Sequence, residues 1–128
     1  MQKNKILIID DDIELSRTLR AVLEGQGFAV HLAEDSEEGI ALARAVRPDL
    51  IILDVMMRTA GEGFSAAQAL KADAGLAAIP IIMVTAVKEE TGFAFNPRED
   101  QEFLPVDRFL DKPVDPKKLI EEIRSLIG

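Results

Sequence analysis

Short apolar runs alternating with helix-period segments constrain this chain more than any other feature. Ile6–Ile9, Leu50–Leu53, Ile79–Val84 (broken by Pro80) and the mixed run Val106–Leu110 stand out, with Phe28–Ala33 a weaker fifth. They are four to six residues long and rich in Ile, Val and Leu. Nearly unbroken runs of this kind suit strands covered on both faces, as in a parallel sheet. Between them, Ile13 to Gln26 carries Leu15, Leu19, Val22 and Leu23 on one helical stripe and stops at Gly25 and Gly27. Asp35 to Arg47 opens on an Asp-x-x-Glu capping box, Asp35 with Glu38, and ends before Pro48. Phe64 to Asp73 is rich in Ala and Leu, and Lys117 to Ile127 repeats Leu119, Ile123 and Leu126. The order βαβαβαβ, an irregular stretch, then βα predicts an α/β fold: one doubly wound, five-stranded parallel sheet with about five helices on its two faces. No repeat, linker or composition shift divides the chain, so a single domain over 1–128 is expected.

The stretch between Val87 and Pro105 breaks the alternation. It is polar, with Gly92, Asn96 and Pro97, and within it Asn96-Pro97-Arg98-Glu99 has the form of a helix start. Pro105 would end that helix, so about two turns near Pro97–Phe103 are expected in place of a full-length fourth helix. Phe93, Phe95, Phe103 and Leu104 in this segment need somewhere to go. The expectation is that they fill the gap left by the shortened helix, with Phe103 as an anchor. The competing reading is an exposed patch that takes a partner or a second copy of the chain.

Composition removes several function classes. The net charge of −8 argues against a nucleic-acid binder, which would present a basic face to phosphates, and against docking on anionic lipid. With no cysteine, disulfides, thiolate metal sites and Cys nucleophiles are excluded. The single histidine, His31, cannot make a His-rich metal site. No apolar run approaches the ~18 residues of a membrane span. The opening MQKNK is followed by four apolar residues and then three acids, which is no signal peptide, so the expected compartment is the cytoplasm.

Ligands of open parallel sheets bind outside the carboxyl ends of the strands. There the first strand ends in Asp10, Asp11 and Asp12, the third in Asp54, the fourth in Thr85-Ala86 and the fifth in Asp111-Lys112-Pro113. Each has an ordinary reading. The acidic run favours a helix N-terminus, Asp54 suits a turn, Thr85 suits a strand and Lys112 suits a solvated surface. Their convergence on one face changes the balance. Carboxylates gathered in one crevice repel unless a cation joins them or a proton is taken up. Oxygen-only ligands point to Mg²⁺.

The series Ile-Leu-Ile-Ile-Asp-Asp-Asp, Pro-Asp-Leu-Ile-Ile-Leu-Asp-Val-Met-Met, Ile-Ile-Met-Val-Thr-Ala and Phe-Leu-Asp-Lys-Pro-Val resembles the receiver domain of bacterial two-component response regulators across essentially the whole chain. Each motif is weak alone, and four in this order and spacing are highly specific. The resemblance implies the flavodoxin-like strand order 2-1-3-4-5. It implies Asp54 as phosphoacceptor, Asp11 as a direct Mg²⁺ ligand, Asp10 acting through water, and the Met56 carbonyl as a further ligand beside Asp54. Thr85 and Lys112 would hold phosphoryl oxygens, and Phe109 would occupy the aromatic switch position. A carboxylate nucleophile can form an acyl phosphate, and needs no general base because it is already deprotonated near neutral pH. Mg²⁺ and Lys112 would supply positive charge to the phosphoryl group in flight. The implied donor is a histidine kinase or a phosphotransfer protein. The output would be a change in binding to an unidentified downstream effector on the face of the fourth helix, fifth strand and fifth helix, with a phosphorylation-dependent homodimer as one form of it. No direct contact with nucleic acid or membrane is implied. Catalysis would be confined to the domain's own phosphotransfer and dephosphorylation, so the chain is not expected to be an enzyme acting on other substrates.

Departures from the family pattern are local. The loop after Asp54 reads Met57-Arg58-Thr59-Ala60-Gly61-Glu62-Gly63, without the usual proline and one residue longer. The interval from Thr85 to Lys112 is several residues longer than usual. Phe109 lacks the hydroxyl that Tyr would bring, so packing must set its position. An alternative class is a Mg²⁺-dependent phosphatase of the haloacid dehalogenase type, which also uses an Asp nucleophile after the first strand. Its Asp-x-Asp-x-Thr/Val motif is not met, since Ile13-Glu14 follows the acids here, and there is no room for a substrate cap. A flavin carrier would need a Ser/Thr/Gly-rich phosphate loop where three aspartates stand.

Overall fold

The computed structural model describes residues 4–54, 62–85 and 107–127, with the backbone alone for residues 62–64, 85 and 111. Its strands are β1 (Lys5–Ile9), β2 (Ala29–Ala33), β3 (Leu50–Asp54), β4 (Ile81–Thr85) and β5 (Arg108–Asp111). Its helices, among the described residues, are α1 (Ile13–Gly25), α2 (Ser36–Val46), α3 (Glu62–Ala72) and α4 (Pro116–Ile127). All strand pairs are parallel and the order across the sheet is β2-β1-β3-β4-β5. The expected doubly wound α/β fold is therefore the one observed. The expected turns near Pro97–Phe103, and Phe93, Phe95, Phe103 and Leu104, lie outside the described residues.

The period-two alternation of a strand sends successive side chains to opposite faces. Leu7, Ile9, Ile51, Leu53, Ile81 and Met83 join α2 and α3 through Ala43, Ala66, Ala67 and Leu70. Ile6, Ile8, Leu50, Ile52, Ile82 and Val84 face the other way and join α1 and α4 through Leu19, Leu23, Leu119 and Ile123. Two apolar layers thus clamp the sheet. On the first side α2 approaches very closely: a Cβ on Gly39 would collide with the side chain of Ile9.

Boundaries shift from the sequence expectation for local reasons. Phe28 precedes β2 and packs into the α1/α4 layer. Pro80 has no N–H to give a ladder, so β4 starts at Ile81, while the Pro80 carbonyl accepts from Ile51 N–H at 3.0 Å. β5 begins at Arg108, two residues later than the apolar run, because Asp107 serves as an anchor. Its carboxylate accepts from Ile81 N–H at 2.8 Å. Asp35 is the N-cap of α2 and accepts from Glu38 N–H at 2.8 Å. Arg47 closes α2 in the left-handed region, φ 48°, just before Pro48.

Candidate functional site

Sheet register brings the distant residues together. Ile9 is paired with Leu53, Asp54 with Val84 and Thr85 with Asp111. One step beyond these pairs, Asp10, Asp54, Thr85 and Lys112 stand in a row across the carboxyl edge. The parallel sheet thus forces four separate segments to end at one place.

The acidic run divides into three jobs. Asp10 is 5% exposed, and its carboxylate accepts from Asp12 N–H at 2.9 Å, which turns the chain sharply after β1. Asp11 is exposed. Asp12 is the N-cap of α1, accepting from Leu15 N–H at 3.1 Å. The cap itself is therefore made by Asp12, while Asp10 holds the turn before it. Asp10, Asp11 and Asp54 each offer an oxygen, and these oxygens lie within 4.8 Å of one another. Asp54 is 2% exposed.

Lys112 closes the site. Its Nζ lies 3.3 Å from Asp54 Oδ1 and 3.4 Å from Asp10 Oδ2, and the peptide bond to Pro113 is cis. Burial pulls the ammonium's pKa down, but Asp54 and then Asp10 outweigh it and hold it above the ordinary lysine value of 10.5. Lys112 is thus a fixed cation facing two buried carboxylates.

The donor set fits Mg²⁺. All three side chains are hard oxygen ligands, and their spread is only slightly wider than the ~4.2 Å between trans oxygens of an octahedral ion. A divalent ion would also relieve the repulsion that one ammonium leaves uncancelled among three acids. The Met56 carbonyl, implied as a further ligand, lies outside the described residues. Thr85 is placed by its backbone at the end of β4, beside the site. Phe109 on β5 is half-buried and packs against the α2/α3 layer, in keeping with a position set by packing. Sequence reasoning did not assign Ser16, which is 2% exposed on α1 and lines a cavity beside Asp10. Its place on a polar flank of the first helix gave no sign of it.

The comparisons agree with this geometry. The family model for the response regulator receiver domain matches residues 6–124. Protein PilH of Pseudomonas aeruginosa is 36% identical over 124 residues, covering 97% of this chain and 98% of that one. The DNA-binding response regulator MtrA of Mycobacterium tuberculosis is 31% identical over 123 residues, covering 96% of this chain. That match takes in 50% of MtrA, so the chain spans about half the length of this relative. Among solved structures, the chemotaxis response regulator CheY4 of Vibrio cholerae superposes with a TM-score of 0.83 at 26% identity, covering 98% of this chain and 100% of that one. The chain belongs to the response regulator receiver domain family, signalling modules of two-component systems. Among the described residues no helix is long and apolar enough to cross a membrane.

Proposed function

We propose that this domain takes a phosphoryl group onto Asp54 from a phosphohistidine of a histidine kinase or phosphotransfer protein. The observation that carries the reading is the position of Lys112 Nζ, 3.3 Å from Asp54 Oδ1, beside a cluster of three carboxylates able to hold Mg²⁺. An Asp54 oxygen attacks phosphorus, the bond from phosphorus to the donor imidazole nitrogen breaks, and that nitrogen keeps the electron pair and takes up a proton. Asp11 and Asp54, with Asp10 through water and the Met56 carbonyl, would hold Mg²⁺. The bound ion would supply positive charge to the phosphoryl oxygens. Lys112 then exchanges its carboxylate contact for a phosphoryl oxygen, and the Thr85 hydroxyl donates to another. Buried placement keeps Asp54 among fixed charges that need little reorganisation as charge develops.

The output in this reading is a change of partner binding on a face that includes β5 and α4, with Thr85 and Phe109 as the moving parts. A phosphorylation-dependent homodimer is one form it can take. The domain's chemistry is limited to its own phosphotransfer and dephosphorylation, in the cytoplasm. Incubation with acetyl phosphate, read on a phosphate-affinity gel, tests the proposal. A Mg²⁺-dependent shifted band that is absent in Asp54→Asn is expected, and an equal shift in Asp54→Asn refutes it.

A further inference from the structure

The contact between β1 and α1 changes from apolar to polar at one level of the fold. Ile6 and Ile8 pack against α1, and Asp10 N–H donates to the Ala33 carbonyl at 3.0 Å, which carries the pleat of the strand one residue past Ile9. The period of two then sends the Asp10 side chain to the same face as Ile6 and Ile8. Because β1 and β2 are parallel, α1 between them runs back along the sheet. Its buried positions are Ser16, Leu19 and Leu23. Leu19 and Leu23 pack in one layer with Ile6 and Ile8. Ser16, one turn nearer the start of α1, continues that line toward the carboxyl end of β1, where Asp10 continues the strand. Ser16 and Asp10 line one cavity there.

Ser16 is 2% exposed, and its Oγ has no hydrogen-bond partner among the described residues. Such a buried hydroxyl lowers stability, and alanine would suit the helix better. Asp10, 5% exposed, is engaged at both oxygens: Oδ1 accepts from Asp12 N–H at 2.9 Å, and Oδ2 lies 3.4 Å from Lys112 Nζ. With a divalent ion among the three acids, the Lys112 ammonium is repelled and Asp10 Oδ2 is open to another donor. We propose that Ser16 is a positioning residue for Asp10, its hydroxyl donating to the Asp10 carboxylate in the Mg²⁺-bound domain. Outer donors of this kind fix the orientation of carboxylates at a metal. The inference rests on the Mg²⁺ site of the proposed function.

Mg²⁺ is titrated calorimetrically, with no phosphoryl donor, into the full chain and into Ser16→Ala and Ser16→Gly. Each protein is also unfolded in urea without Mg²⁺. Both variants lack the hydroxyl, but they move stability in opposite directions. Ser16→Ala should be at least as stable as the parent, and Ser16→Gly less stable, since glycine is a poor helix former. Mg²⁺ affinity should nevertheless fall by about tenfold in both. A merely structural serine would make affinity follow stability, with Ser16→Ala and Ser16→Gly on opposite sides. The inference is overturned if Ser16→Ala binds Mg²⁺ like the parent, if only Ser16→Gly loses affinity, or if Ser16→Ala without Mg²⁺ is less stable than the parent, since the hydroxyl would then already be bonded in the resting fold. A parent chain that takes up no Mg²⁺ at millimolar concentration fails the proposed function as well, whereas parent-like affinity in Ser16→Ala fails this inference alone.

Discussion

A single ammonium bridges two buried carboxylates at the sheet's carboxyl edge: Lys112 Nζ stands 3.3 Å from Asp54 and 3.4 Å from Asp10. In the proposed reaction this ammonium would turn from Asp54 to a phosphoryl oxygen, while the acidic cluster would hold a divalent cation. Removing one partner of a fully buried pair costs ~3–5 kcal/mol. The Lys112 side chain is 23% exposed, and water reaching it lowers the expected cost. Lys112→Met should lose about 1–2 kcal/mol in urea unfolding and recover much of it when Mg²⁺ is added, because bound cation stabilises by mass action. Its phosphorylation rate should fall by about 10²-fold, as for loss of one charge stabiliser. A variant that unfolds like the parent with or without Mg²⁺ would remove Lys112 from the account.

Gly39 sets the distance between α2 and β1. An alanine in a helix ordinarily gains ~1 kcal/mol over glycine. Here the added Cβ meets Ile9, and overpacking of this kind costs ~1–3 kcal/mol. The clash should win, so Gly39→Ala is expected to be less stable by about 1 kcal/mol. Ile9→Val in the same chain should restore part of the loss. Stabilisation by Gly39→Ala alone would show that the two elements can slide apart freely.

Asp73 ties α3 to α2. Its hydrogen bond from Arg44, 3.0 Å, and then that from Gly75 N–H hold its pKa below the ordinary 3.8. A group depressed in the folded state contributes stability that is fully present above its unfolded pKa and is lost as pH falls through the folded value. The difference in unfolding midpoint between parent and Asp73→Asn should thus be constant near neutral pH and shrink once pH drops below about 4. A difference that grows on acidification contradicts the assignment.

Dephosphorylation should be slow. Met56 and Val87, two residues after Asp54 and Thr85, are apolar and offer no hydrogen bond to orient an attacking water. The purified phosphorylated domain should hold its label for minutes or longer, and Met56→Glu or Val87→Gln should shorten that time. A half-life of seconds in the parent chain would contradict this.

The sheet was legible because three of its strands are buried on both faces. Ile6–Ile9, Leu50–Leu53 and Ile81–Val84 leave almost no polar residue for solvent. β2 lies at an edge and is only half-buried along most of its length, and its apolar run was correspondingly weaker. β5 is the other edge, and its start was misjudged because Val106 looks like strand while Asp107 is an anchor. At the site, residue type and position at a strand end were enough to single out Asp10, Asp11, Asp54, Thr85 and Lys112. The division of labour within the acidic run was hidden, since only the turn geometry separates a buried Asp10 from a capping Asp12. The contact of Lys112 with Asp10 was hidden too, because it joins two ends of the chain through three successive strand pairings. Ser16 was invisible for a related reason: a serine on α1 acquires a cavity only once β2 and α2 are packed beside it.

The central claim is that Asp54 accepts the phosphoryl group with the help of an ion held by its acidic neighbours. Peptide mapping by tandem mass spectrometry after treatment with acetyl phosphate and borohydride trapping tests it most directly. The account predicts modification at Asp54 alone, present with Mg²⁺, absent after chelation and reduced in Asp11→Asn. Modification at Asp10, Asp11 or Asp12 with Asp54 untouched, or labelling indifferent to Mg²⁺, would contradict it.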